Sequence, residues 1–192
     1  MAEKKLLVLA SPSGGGKSTV ARHLQKKYPD LLFSISATTR KKRPHETYGV
    51  EYYFLSKEDF EKRIKEGDLV EYEQMFGNYY GTLKSEIDKA LISGDPMLFD
   101  IDVKGALSLR RVYPEQTLLV FISPPSLKEL ERRLKQRSTE TDEEIENRLA
   151  RAKMEMDESP AFDYVVINED LERTFREMDE IVEKEMGIKP SN

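Results

Sequence analysis

The chain has 192 residues, 38% of them hydrophobic and 35% charged, with a formal net charge of −5. That length supports one sizeable core with inserted lobes and demands no second domain. The acidic balance excludes an overall basic footprint for nucleic acid, so any bound anion must be met by arginines gathered locally.

Cysteine is absent, which excludes disulfides and thiolate metal sites. No apolar run approaches the ~20 residues that cross a bilayer. Met1 to Lys5 leads directly into an apolar run too short for a signal peptide, with no small-residue cleavage site after it. A cytoplasmic protein is the expectation.

In chain order, Leu6 to Ala10 is a continuous apolar run that suits a strand buried on both faces of a parallel sheet. A glycine-rich turn, Ser11 to Gly16, and a helical pattern to about Tyr28 follow. Phe33 to Ala37 reads as a second strand. Residues from about 38 to 84 are rich in Tyr, Arg and Gly, with short strand-like pieces and one helix after Ser56; they read as an inserted lobe. Met97 to Ile101 reads as another buried strand, Leu118 to Ile122 as a fourth and Tyr164 to Ile167 as a fifth.

Helices fill the intervals. Ser126 opens one, with Glu129 expected to complete a capping box and Leu127, Leu130 and Leu134 along one face. Thr141 opens the next, with Ile145, Leu149, Ala152 and Met156 as its stripe. The last starts near Leu171 and turns Phe175, Met178 and Val182 inward; the tail from Gly187 is expected to fray. Alternating strands and helices predict an α/β fold with a five-stranded parallel sheet flanked by helices.

Ser11-Pro12-Ser13-Gly14-Gly15-Gly16-Lys17-Ser18-Thr19 lies between a predicted strand and a predicted helix, the context that makes a phosphate-binding P-loop credible. Glycines let backbone N–H groups converge on phosphate oxygens, and the helix N-terminus adds partial positive charge. Lys17 would reach the β- and γ-phosphates of a nucleoside triphosphate, and Ser18 would place its hydroxyl on Mg²⁺. Asp100, ending a strand, is a candidate for the magnesium shell through water. Ser11 stands where the motif normally has glycine. Extended backbone before Pro12 would accommodate it; a positive φ would cost roughly 1 kcal/mol.

Further on stand Ser36, Thr38-Thr39-Arg40-Lys41-Lys42-Arg43, Tyr52, Glu71, Gly77-Asn78-Tyr79-Tyr80-Gly81-Thr82 and Asp100-Ile101-Asp102. In order and spacing these pieces resemble the guanylate kinase family, over nearly the whole chain from the P-loop to Asn168.

The resemblance implies a nucleoside monophosphate kinase core (1–37, 85–125 and 160–192), a GMP-binding lobe (about 38–84) and a helical lid (about 126–159). It implies Mg²⁺-dependent phosphoryl transfer from ATP to GMP, and to dGMP, with no nucleic-acid or membrane partner. Arg40 and Arg43, with the hydroxyls of Tyr52 and Tyr80, resemble the clamp on the GMP phosphate; an arginine fork can bond two phosphate oxygens at once. Glu71 and Asp102 resemble the partners of guanine N1–H and its 2-amino group, and Ser36 and Thr82 those of O6.

Arg137 and Arg148 match arginines carried over the triphosphate by the lid, and Asn168 resembles a residue near the adenine ring. Ser138 replaces a usual glycine after Arg137. Arg132, Arg133 and Arg151 read as a solvated face, and His23 and His45 as isolated surface residues. Related scaffold domains that have lost catalysis usually lack an intact P-loop, so Lys17-Ser18 favours an enzyme.

Overall fold

The computed structural model describes residues 4–75, 77–136 and 142–191. Strand β1 (Leu6–Ala10) is buried along its whole length. It pairs in parallel with β7 (Met97–Asp100) on one side and β8 (Thr117–Ser123) on the other. β2 (Leu32–Phe33) and β9 (Tyr164–Ile167) are the edges, giving the order β2-β7-β1-β8-β9, all parallel.

Both faces of the three central strands are covered, which is why they read as unbroken apolar runs rather than alternating ones; the edge strand expected to be buried at Tyr164 to Ile167 is not, with Val165 and Ile167 exposed. Leu7, Leu9, Val120 and Ile122 pack against helices α1 (Lys17–Lys27) and α7 (Leu171–Met186). Leu6, Val8, Phe99 and Phe121 face α3 (Lys84–Ser93) and α4 (Val103–Val112).

The strand expected at 33–37 divides between two sheets. Ser34 N–H donates to the Leu98 carbonyl at 2.8 Å as the last rung of the core. The chain then crosses through Ile35 and Ser36, and Ala37 and Thr38 form β3 of a second sheet, ordered β4-β3-β6-β5. Its other strands are β4 (Tyr53–Phe54), β5 (Leu69–Met75) and β6 (Asn78–Leu83). Helix α2 (Lys57–Glu66) seats Phe60 against Ala37, Leu69 and Leu83 as a separate small core. The helix starts where expected because Ser56 Oγ accepts the Asp59 N–H at 3.0 Å. A register shift between Leu69 and Glu71 sets Glu71 opposite Thr82; such bulges re-aim a side chain.

Helices α5 (Leu127–Gln136) and α6 (Asp142–Asp157) pack on each other through Leu130, Leu134, Leu149 and Ala152. Ser126 caps α5 by accepting the Glu129 N–H at 3.1 Å. The capping box is not completed: the Glu129 carboxylate is gripped instead by Arg132 and Arg133. Thr141 lies outside the described residues.

Two further expectations are corrected. The tail does not fray, at least to Ser191, whose N–H donates to the Lys27 carbonyl at 3.1 Å, while Ile188 packs on the core. His23 is no free surface residue: its Nε2 lies 2.9 Å from Asp179 and its ring stacks on Phe175 at 4.1 Å. His45 is exposed, as expected. Among the described residues, no helix is long and apolar enough to cross a membrane.

Candidate active site

The turn after β1 sits at the carboxyl ends of the parallel strands, where the connection from β1 to β2 runs to one side of the sheet and that from β7 to β8 to the other, opening a crevice. It closes on itself through Gly15 N–H to the Pro12 carbonyl at 2.8 Å. Gly14 and Gly16 have φ of +90° and +101°, which turns the backbone without a Cβ penalty. Helix α1 begins without a side-chain cap and without an acid in its first turn. Its leading N–H groups are therefore available to an anion. Ser11 is packed inside the loop: its hydroxyl donates to the Pro12 carbonyl at 3.0 Å and fills the space beside Gly15.

Asp100 ends β7 in register with Leu9, beside the loop. The Lys17 ammonium lies 2.7 Å from Asp100 Oδ1 and donates to the Ile101 carbonyl at 2.6 Å. Ser18 Oγ donates to Asp100 Oδ2 at 3.2 Å. Ser18 and Asp100 thus present two hard oxygen donors side by side, a set that suits Mg²⁺ completed by phosphate oxygens and water.

Asn168 is buried beneath the loop rather than open towards a base. Its Nδ2 donates to the Gly15 carbonyl at 2.8 Å and its Oδ1 accepts from Thr174 at 3.3 Å. A Cβ on Gly16 would meet that Nδ2 at 2.1 Å. Gly16→Ala therefore combines a left-handed φ with displacement of a bonded, buried amide. It should destabilise the protein by about 2 kcal/mol or more and weaken ATP binding, measured by thermal unfolding and ATP titration.

From above, α5 lays Leu130 and Leu134 on Gly14, and Arg133 donates to the Asn168 carbonyl at 2.9 Å. Arg148 on α6 reaches the loop, with Nη1 3.5 Å from Ser13 Oγ. Thr19 lies on the first turn of α1. Arg137 and Ser138 lie outside the described residues.

The second sheet gathers the other predicted residues. Arg40 is gripped at both nitrogens by the buried Glu46 carboxylate, at 2.6 and 3.0 Å, and lies over the Tyr52 ring at 5.3 Å. Tyr80 stands edge-on to Tyr52 at 6.1 Å. Arg43 gives its backbone N–H to Glu46 at 2.7 Å, and its exposed side chain is near enough to be felt by Glu46 and Tyr52. Bonds from Arg40, then from the Arg43 backbone, hold the Glu46 carboxyl down at about 2. Glu46 was invisible in the sequence, because it sits in an irregular loop without a period to mark its burial.

Glu71 and Asp102 line one cavity of about 350 Å³, with Gly105 between them. Burial pushes the Glu71 carboxyl up, the Thr82 hydroxyl pulls it down, and Asp102 and Glu73 add to the rise. That hydroxyl donates to Glu71 Oε1 at 2.6 Å, so its single proton is committed to the acid. Asp102 caps α4, with Oδ1 accepting the Gly105 N–H at 2.8 Å. Ser36 and Tyr52 line a neighbouring cavity of about 290 Å³ whose far wall is Asp100. Asp100 is thus common to the loop and to the second pocket.

The sheet, the glycine loop and Lys17 at its mouth define a P-loop nucleotide-binding protein, with Arg40, Tyr52 and Tyr80 clustered on its second sheet and two acids in a cavity of their own. A family profile described as guanylate kinase matches residues 3–185. The guanylate kinase of Chlorobaculum tepidum is 51% identical over 170 residues, 88% of this chain and 87% of that protein. That of Salinibacter ruber is 48% identical over 178 residues, 92% and 94%. The crystal structure of guanylate kinase from Anaplasma phagocytophilum superimposes with a TM-score of 0.72 at 33% identity, covering 96% of this chain and 87% of that one. The chain belongs to the guanylate kinase family.

Proposed function

We propose that this protein transfers the γ-phosphoryl group of ATP to GMP, and to dGMP, giving ADP and GDP or dGDP. One observation carries the reading. A phosphate loop with its lysine and the cavity of Ser36 and Tyr52 meet at a single residue, Asp100, which pairs with Lys17 and lines that cavity. Two nucleotides can therefore lie end to end with their phosphates between them.

In this account residues 11–19 cradle the triphosphate. Arg40, Arg43, Tyr52 and Tyr80 hold the GMP phosphate, with Glu46 presenting the Arg40 fork. Glu71 and Asp102 accept from guanine N1–H and the 2-amino group. Thr82 orients Glu71, which leaves Ser36 as the donor to O6. Residues about 38–84 act as the acceptor lobe and about 126–159 as a lid that brings Arg137 and Arg148 over the phosphates and expels water. Asn168 supports the loop from below.

A GMP phosphate oxygen attacks the γ-phosphorus in line. The bond from that phosphorus to the β–γ bridging oxygen breaks, and ADP leaves carrying the charge. The acceptor oxygen is already ionised, so no general base is required. Lys17, Arg40, Arg137 and Arg148 meet the charge that spreads over the moving group. Ser18, directly, and Asp100, through water, would hold Mg²⁺, which supplies further charge neutralisation on the triphosphate when bound. Both substrates are cytoplasmic metabolites, and the reaction is assigned to that compartment.

Initial rates of ADP release with GMP, taken across pH, test the reading. Glu71 must be ionised to accept N1–H, and burial raises its pKa. Activity should be present above that raised value and be lost as pH falls through it. Thr82→Val removes the hydroxyl that holds the value down. The acid limb of kcat/KM for GMP should move to higher pH, and KM for GMP should rise about ten-fold. A limb that stays in place would separate Thr82 and Glu71 from the acceptor.

A further inference from the structure

Arg151 sits where three elements meet. It projects from α6, and its Nη2 lies 3.4 Å from Asp102 Oδ2 at the start of α4 and 3.7 Å from Glu73 Oε1 on β5. Its Nε donates to Glu155 Oε1 one turn further along α6, at 2.8 Å, which fixes the orientation of the fork. Asp102 spends Oδ1 on the Gly105 N–H, so Oδ2 is the oxygen that faces Arg151.

The surroundings make this contact more than a solvated charge. Glu71, Glu73 and Asp102 all line one cavity, and carboxylates so close repel one another. Arg151 brings a positive charge to two of the three. A second cavity of about 630 Å³ opens on the other side of Asp102 and is lined by Arg151, Glu73 and Glu155. The arginine therefore stands at the boundary of the acceptor pocket. Three residues earlier on the same helix, Arg148 reaches Ser13 of the phosphate loop. Residues three apart are neighbours on a helix surface, so a single face of α6 touches the donor loop through one arginine and the acceptor acid through the other.

We propose that Arg151 is a positioning residue for the acceptor: it holds Asp102 in place for the guanine base. This rests on the assignment of Asp102 to the base. Each carboxylate oxygen has two lone pairs, so Oδ2 can accept from Arg151 and from a base amino group together. Arg151 touches no phosphate-loop residue in this arrangement, so ATP should be blind to it.

The test is steady-state kinetics of Arg151→Ala, Arg151→Lys, Asp102→Asn and the Arg151→Ala/Asp102→Asn double variant, with GMP and ATP varied separately. Arg151→Ala should raise KM for GMP about five-fold at low salt with KM for ATP unchanged; Arg151 is half exposed, so high salt should shrink the difference. Arg151→Lys should restore most of the loss. In the Asp102→Asn background, removing Arg151 should add nothing further.

Equal rises in both KM values with a lowered unfolding midpoint, unchanged KM values, or fully additive effects would overturn the proposal. Asp102→Asn that leaves KM for GMP unchanged would overturn the assignment of Asp102 beneath it, and the proposal with it.

Discussion

Replacing Lys17 by alanine is expected to lower kcat by about 10³-fold, or about 4 kcal/mol of transition-state stabilisation, while the fold survives. The side chain belongs to none of the hydrophobic clusters, so its removal opens no cavity in the core. It does remove the cation that the structure holds between Asp100 and the Ile101 carbonyl at the mouth of the loop. Charge building on the β–γ bridging oxygen during transfer would then face Asp100 without its counter-charge. Lys17→Arg should retain little activity, because a planar fork does not substitute for a compact ammonium inside a backbone cradle. ADP-release rates, paired with an unfolding midpoint shifted by no more than a few degrees, check the expectation. Loss of activity together with unfolding would show only that the loop is structural.

Much of this was legible in the sequence because the physics was local. Leu6 to Ala10 reads as a strand covered on both faces, and it is one. Gly14-Gly15-Gly16-Lys17-Ser18 places its own turn and helix start, and Ser56 and Ser126 announce helices through hydroxyls that reach a backbone three residues on. What escaped depends on contacts between distant residues. Two-residue strands such as Leu32–Phe33 and Ala37–Thr38 leave no periodicity, so a segment that switches sheets reads as one strand.

The same holds within the site. The Arg40 side chain is predictable as a phosphate ligand, but the carboxylate that aims it, Glu46, lies in a loop whose burial no pattern reveals. Arg151 looks like any arginine on a charged helix until α6 is placed against α4 and β5. Asn168 resembles a residue near a base, and its amide is bonded under the phosphate loop. Thr82 resembles a partner of O6, and its proton goes to Glu71.

The second large effect concerns which base is accepted. Guanine offers two donors, N1–H and the 2-amino group, where adenine offers a bare N1 and a hydrogen. Glu71 and Asp102 bring acceptors to one cavity, where burial works against the Glu71 charge and the Thr82 hydroxyl is its compensating donor. Guanine would satisfy the acids. Adenine would leave them unmatched, a mismatch that discriminates by about 10⁴ or more in sites of this kind. Glu71→Gln gives up the negative charge and presents an amide N–H that adenine N1 can accept, so the preference should narrow about 100-fold.

The most direct measurement is therefore kcat/KM for GMP and for AMP at saturating Mg·ATP, in the unaltered protein and in Glu71→Gln. Two acids reading a purine's donor edge require GMP to lead by about four orders of magnitude and the substitution to erode that lead. Comparable rates with AMP, or a lead untouched by the loss of the Glu71 charge, would contradict the account.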